Sequence, residues 1–203
     1  MIFLIKRFGF EIRPVLSRLR MLTIAGVLLS PTFAYADTIA GDRAARAGDY
    51  AAALRIWRPL AEDGDPGAQY GLAWLLAEGR GVARDADAAA HWCRKAADQG
   101  FAKAQYNLGL MYSRGHGVEQ SDERAAHWYR LAALQGDSDA QNNLGTAYAQ
   151  GLGVAEDRVE AYLWFSLAEQ QKNPVARANL GRLIARMSQD EIDEGRRRVG
   201  QSH

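Results

Sequence analysis

FAKAQYNLGLMYSRGHGVEQSDERAAHWYRLAALQG, residues 101–136, is the stretch whose reading decides the fold. Displaced by 36 residues, the chain matches itself on both sides of it. Gln69, Gln105 and Gln141 fall in register, as do Gly79, Gly115 and Gly151, and Trp92, Trp128 and Trp164. A fixed period of this length marks a stack of small units, none of which buries its apolar face alone. Two helical patterns share the stretch. Ala104, Leu108 and Met111 recur at i, i+4 and i+7, with Gly109 allowing a neighbouring helix to come close. Ala125, Trp128, Tyr129, Ala132 and Ala133 then form the apolar stripe of a second helix.

Working outward, three windows of this kind cover 65–100, 101–136 and 137–172. Upstream, GDYAAALRIWRPLAEDG repeats the second half of the unit, and with the Ala-rich segment before it forms an N-terminal helical hairpin over 37–64. Downstream, 173–203 holds a partial repeat and a variant tail. The punctuation agrees. Asp65-Pro66 and Asn173-Pro174 set a capping side chain before a proline at the first helical position, and Asp137-Ser138 is the same point in the third window. Phe101 departs from this pattern, so its helix start needs another cap. Gly100 and Gly136 stop the second helices. Gly79-Arg80-Gly81, Gly115-His116-Gly117 and Gly151-Leu152-Gly153 make the tight turns inside each unit. Ser188 and Glu191 form a capping box that opens a last helix, Gln189 to about Val199, expected to cover the end of the stack.

The chain has 203 residues, 48% hydrophobic and 24% charged, the balance of a soluble globular protein. Its formal charge of +1 conceals an asymmetry, because the first 36 residues carry five bases and one acid. The remainder holds 20 Lys and Arg against 23 Asp and Glu, which argues against a nucleic-acid-binding face. Cys93 is the single cysteine, so no intrachain disulfide forms. Lys6, Arg7, Arg13, Arg18 and Arg20 precede an uncharged run, Met21 to Ala36, that is too short and too interrupted by Pro31 to span a bilayer. With Ala34-Tyr35-Ala36 at its end, 1–36 reads as a signal peptide cleaved after Ala36, leaving a secreted or periplasmic chain without membrane insertion. The alternative is an uncleaved N-terminal membrane anchor.

AQYNLGLMYSRGHGV followed by AAHWYRLAALQG closely resembles the Sel-one-like repeat, a 36-residue relative of the tetratricopeptide repeat. AQYGLAWLLAEGRGV…AAAHWCRKAADQG and AQNNLGTAYAQGLGV…AYLWFSLAEQ carry the same pattern. The resemblance spans roughly Gly48 to Arg186. It implies an all-α fold, a right-handed α-solenoid of stacked antiparallel helix pairs whose first helices line a concave face, and protein binding as the usual work. Two features depart from it: the N-terminal hairpin lacks the Gly-x-Gly turn, and Arg177 stands where the repeat has glutamine. Some bacterial relatives carry a cysteine pair in each repeat and have been linked to penicillin binding, a poor match to one cysteine.

Chemistry-bearing residues are sparse. Trp92, Trp128 and Trp164 recur with the fold and read as core. His91 and His127 sit one repeat apart on second helices, but Leu163 ends the series and a zinc site needs about three protein ligands, so they read as a solvated face. His116 stands in a variable turn. The Gly-x-Gly turns lack the lysine, hydroxyl residue and preceding strand of a phosphate loop. Cys93 aligns with Tyr129 and Phe165 at a buried position, unlike a reactive thiol. Arg196, Arg197 and Arg198 read as a solvated run. No catalytic set, metal or cofactor is implied.

The residues that vary where the scaffold does not are the candidates for partner binding. Across the copies these are Tyr70, Tyr106 and Asn142, then Trp74, Leu110, Thr146 and Arg182, flanked by Arg114 and Arg186. Aromatic and Arg side chains in a concavity are the types that anchor interfaces. Trp74 has a competing role, packing on the N-terminal hairpin. The sequence therefore points to an exported scaffold that binds a peptide or protein surface in its groove. Its alternatives are a cell-wall-related hydrolase of the β-lactam-binding kind and a membrane-tethered signalling adaptor.

Overall fold

The computed structural model describes residues 31–201, with side chains from 37 onward. Ten helices and no strand occur among the described residues: α1 (Pro31–Arg46), α2 (Tyr50–Glu62), α3 (Pro66–Glu78), α4 (Ala86–Asp98), α5 (Ala102–Arg114), α6 (Asp122–Leu134), α7 (Ser138–Gln150), α8 (Arg158–Gln170), α9 (Pro174–Ile184) and α10 (Gln189–Gln201). The basic lead and most of the apolar run behind the export reading lie outside the described residues. Among the described residues no helix is long and apolar enough to cross a membrane.

The helices form an α-solenoid of two layers. Odd-numbered first helices from α1 to α9 make one layer, and α2, α4, α6 and α8 the other. Each second helix packs against its own first helix and the first helix of the next hairpin, so every unit buries its stripe between two neighbours. Ala104, Leu108, Ala140 and Leu144 are fully buried in this way.

Side chains set the helix starts. The Asp65, Asp137 and Asn173 carboxylate or amide oxygens accept from backbone N–H groups two or three residues on, and Asp49, Asp85, Ser121 and Asp157 do the same for the second helices. Phe101 provides no side-chain cap. Its ring instead packs 5.5 Å from Tyr70, so burial replaces the missing hydrogen bond. Ser188 and Glu191 form the reciprocal box: Ser188 N–H donates to Glu191 at 2.7 Å, and Glu191 N–H donates to Ser188 Oγ at 3.3 Å.

The glycines at the turns have a packing role as well as a conformational one. Gly117 and Gly153 are left-handed, and a Cβ on either would strike the first residues of α4 or α6 in the preceding hairpin. The turns are stacking joints, not phosphate cradles. Lys172 occupies the position of Gly100 and Gly136 and takes the same left-handed conformation, at φ 65°. A side chain pays a steric cost there that glycine does not.

A glutamine ladder joins the hairpins. Gln69, Gln105 and Gln141 are buried, and their amides donate to Ala61, Ala97 and Ala133 carbonyls at 3.1–3.2 Å. Their own oxygens accept from Gln99, Gln135 and Gln171 at 2.7–2.9 Å. Each of those carbonyls also accepts a backbone N–H, from Gly64, Gly100 or Gly136 at 2.9–3.1 Å, so the glutamine adds a second bond that ties one hairpin to the next, worth about 0.5–1.5 kcal/mol. Arg177 breaks the ladder and pairs with Glu169.

The tryptophan series needs correction. Trp92, Trp128 and Trp164 are only half-buried, lying against the core clusters rather than inside them. Histidine edges cover Trp92 and Trp128 at 5.6 and 5.2 Å. The buried series is one residue further on: Trp57, Cys93, Tyr129 and Phe165. Its partners are small. A Cβ on Gly109 would lie 2.6 Å from the Tyr129 ring, and one on Gly145 would lie 2.7 Å from Phe165. Where the glycine becomes Ala73, the aromatic residue becomes Cys93, so helix spacing is kept by exchanging volume across the joint.

Candidate functional site

Successive first helices leave cavities between them, and these cavities are equivalent under the 36-residue repeat. The α1/α3 cavity, about 220 Å³, is lined by Asp42, Arg46, Trp57, Tyr70 and Trp74. Between α3 and α5 lies one of about 250 Å³, with Glu78, Arg84, Asn107, Leu110, Arg114 and His116. The α5/α7 cavity, about 240 Å³, takes Leu110, Ser113, Arg114, Tyr129, Asn143 and Thr146. The α7/α9 cavity is the largest at about 500 Å³, with Thr146, Gln150, Phe165, Asn179, Arg182 and Arg186. Trp74, Leu110, Thr146 and Arg182 thus occupy one repeat position, and each lines this row.

Hydrogen bonds tie the first helices across the row. Asn107 Nδ2 donates to the Tyr70 hydroxyl at 3.1 Å, and Asn179 Nδ2 donates to Asn142 Oδ1 at 2.8 Å. Arg182 in turn donates to Asn179 Oδ1 at 2.8 Å, so its guanidinium is held at the cavity edge.

Seven of the nine sequence candidates line the row: Tyr70, Trp74, Leu110, Arg114, Thr146, Arg182 and Arg186. Trp74 is 37% exposed while its ring packs 5.8 Å from Tyr50, so it both lines a cavity and rests on the N-terminal hairpin. Tyr106 and Asn142 line none of these cavities. The Tyr106 ring packs 6.1 Å from Tyr129, and burial raises its phenol pKa above the usual range. Asn142 is buried and serves the link to Asn179. The sequence reading missed Asn107, Asn143 and Asn179, although they recur at 36-residue spacing, which was the signal available.

The other chemistry-bearing side chains stay apart from the row or serve the scaffold. His91 and His127 are exposed, and no group of three His, Cys, Asp or Glu residues suited to a metal occurs among the described residues. Cys93 is buried, its thiol donates to the Ala104 carbonyl at 3.3 Å, and burial pushes its pKa up to about 12. That is a structural thiol. Arg198 pairs with Glu160 at 2.6 Å and Glu194 at 2.8 Å, pinning α10 to α8.

A two-layer helical-repeat solenoid with a row of equivalent cavities defines a class of protein, and the comparisons name it. The Sel1 repeat matches residues 66–101, 102–137 and 138–173, more than half of the chain. The protein belongs to the Sel1 repeat family. A Sel1 repeat protein from Oxalobacter formigenes has the same fold, with 28% identity and a TM-score of 0.67 over 75% of this chain and 66% of that one. A protective antigen of uropathogenic Escherichia coli with an SLR fold is 27% identical over 84% of this chain and 46% of its own, at a TM-score of 0.40. This chain therefore spans just under two thirds of the first protein and less than half of the second. No curated protein matches the sequence. Sel1 repeat solenoids are typically scaffolds for protein–protein interaction.

Proposed function

We propose that this protein is an exported interaction scaffold that holds a peptide segment or protein surface along the groove formed by its first helices. The carrying observation is the row of cavities, in which the scaffold repeats while Trp74, Leu110, Thr146 and Arg182 differ at one repeated position. An invariant frame with a varied lining suits recognition better than chemistry. The basic lead and the apolar run ending at Ala36 support export, with the mature chain beginning at Asp37. Mass spectrometry of the protein from its host tests that part, since an intact N-terminus would contradict it. For the groove, Trp74→Ala combined with Leu110→Ala is expected to weaken a captured partner at least tenfold while the helical circular dichroism is unchanged. Undiminished binding by a folded variant would remove the groove from the proposal.

A further inference from the structure

The C-terminal ends of the first helices, and the turn just beyond α9, carry a column of side chains at 36-residue spacing: Asp42, Glu78, Arg114, Gln150 and Arg186. Each lines a cavity of the row, so the column runs from acidic to basic along the groove. In the first three cavities the charge is locally offset, because Arg46 shares the cavity of Asp42, Arg84 that of Glu78, and Asp122 lines the α5/α7 cavity with Arg114. At the α7/α9 end nothing offsets it. Arg182 and Arg186 both line that cavity and no carboxylate does. Arg158 lies nearby, donating to the Arg186 carbonyl, and it already pairs with Glu156 at 3.4 Å. The Arg186 side chain has no hydrogen-bond or ion-pair partner among the described residues. Arg182 is oriented by the Asn179 and Asn142 amides rather than by an acid. Two guanidinium groups in one cavity repel each other until an anion arrives, and guanidinium is the side chain best shaped to take a carboxylate.

The floor decides what kind of anion. Phe165 and Leu183 lie beneath the arginines at 2% and 6% exposure, and the cavity is about twice the size of the other three. A small inorganic ion would leave that apolar floor wet. A peptide side chain and its neighbour would cover it. Packed helices lie about 8–10 Å apart, which is one turn, three residues, of a polyproline-II segment at about 3.1 Å each. A polyproline-II segment crossing the first helices therefore presents every third side chain to a successive cavity.

We infer that the α7/α9 cavity is the subsite for an Asp or Glu side chain of a partner segment in polyproline-II conformation, with an uncharged side chain three residues away in the α5/α7 cavity. This rests on the groove being the binding face, and the test separates the two ideas. The full-length chain is probed with a positional library of twelve-residue peptides, acetylated and amidated so that no terminal charge contributes. Retained peptides are expected to be enriched in Asp or Glu, with uncharged residues at three-residue spacing. Arg182→Glu with Arg186→Glu is expected to weaken the best acidic peptide at least tenfold and to shift selection towards Lys and Arg. Arg182→Gln with Arg186→Gln should lose the acidic preference without gaining the basic one, at an unchanged thermal midpoint. Peptides retained with no acidic preference, or with one that survives the reversal in a folded variant, overturn the subsite while leaving the groove. Failure to retain any peptide overturns both.

Discussion

The α7/α8 hairpin and the last one begin with similar words and end differently. AQNNLG opens α7 and ARANLG opens α9, yet Gly145 lies under the Phe165 ring while a Cβ on Gly181 would meet nothing within 4 Å. The difference comes from the second helix. α8 packs along α7, whereas α10 swings back onto α8, where Gly195 meets the Tyr162 ring and Arg198 pairs with Glu160. α9 therefore keeps an open flank, with Val175 54% and Ile184 36% exposed. The lesson is that the glycine of the Leu-Gly pair is a packing residue only when its own hairpin supplies the ring that covers it.

The largest effect should come from removing that ring. Phe165→Ala is expected to cost about 3–5 kcal/mol, because the Gly145 joint has no other side chain to close it, and urea unfolding followed by circular dichroism measures this. The matched pair Gly145→Ala and Gly181→Ala is the sharper test. Gly145→Ala should destabilise by about 1–3 kcal/mol through overpacking, and Gly181→Ala should stabilise by up to about 1 kcal/mol through helix propensity. Equal signs in the two would break the comparison.

Cys93 extends the comparison to the first window, where a thiol fills the place of the ring. Its pKa is raised to about 12 by burial, so the folded chain keeps the proton that the unfolded chain releases above its usual value near 9. The associated stability is intact below pH 9 and declines as pH rises towards 12. Between pH 8 and pH 10 the wild-type urea midpoint should fall more than that of Cys93→Ala. Parallel falls would show that the thiol titrates as if exposed. The smallest effect belongs to Lys172→Gly, which should stabilise the α8–α9 joint by about 1 kcal/mol, read as a rise in thermal midpoint. A fall would mean that the lysine side chain contributes something its left-handed backbone conceals.

Most of the fold was legible because the repeat states it several times over. The period fixed the helix pairs, and Asp65, Asp137, Asn173 and the Ser188–Glu191 box marked their starts in residues whose chemistry is local. What stayed hidden depends on direction. Trp128 and Tyr129 are adjacent and both apolar, and only the packed helices show that the tyrosine enters the core while the tryptophan stays at its edge. Tyr106 and Asn142 looked like groove residues because they vary, yet one turns towards Tyr129 and the other bridges to Asn179. Lys172 by itself gives no sign of a left-handed backbone, and only its alignment with Gly100 and Gly136 carries that information. The acid-to-base column was visible in principle, since Asp42, Glu78, Arg114, Gln150 and Arg186 need only the period to be aligned.

The central claim is that the first-helix groove, and not the second-helix face, meets the partner. Photo-crosslinking in the native host tests it most directly, with a photoreactive residue placed at Leu110 in the groove and, in a second variant, at His127 on the exposed face of α6. The expected result is a discrete adduct from position 110 and none from position 127. An adduct from 127 with none from 110, in equally folded variants, would contradict the claim and move the binding face to the opposite layer.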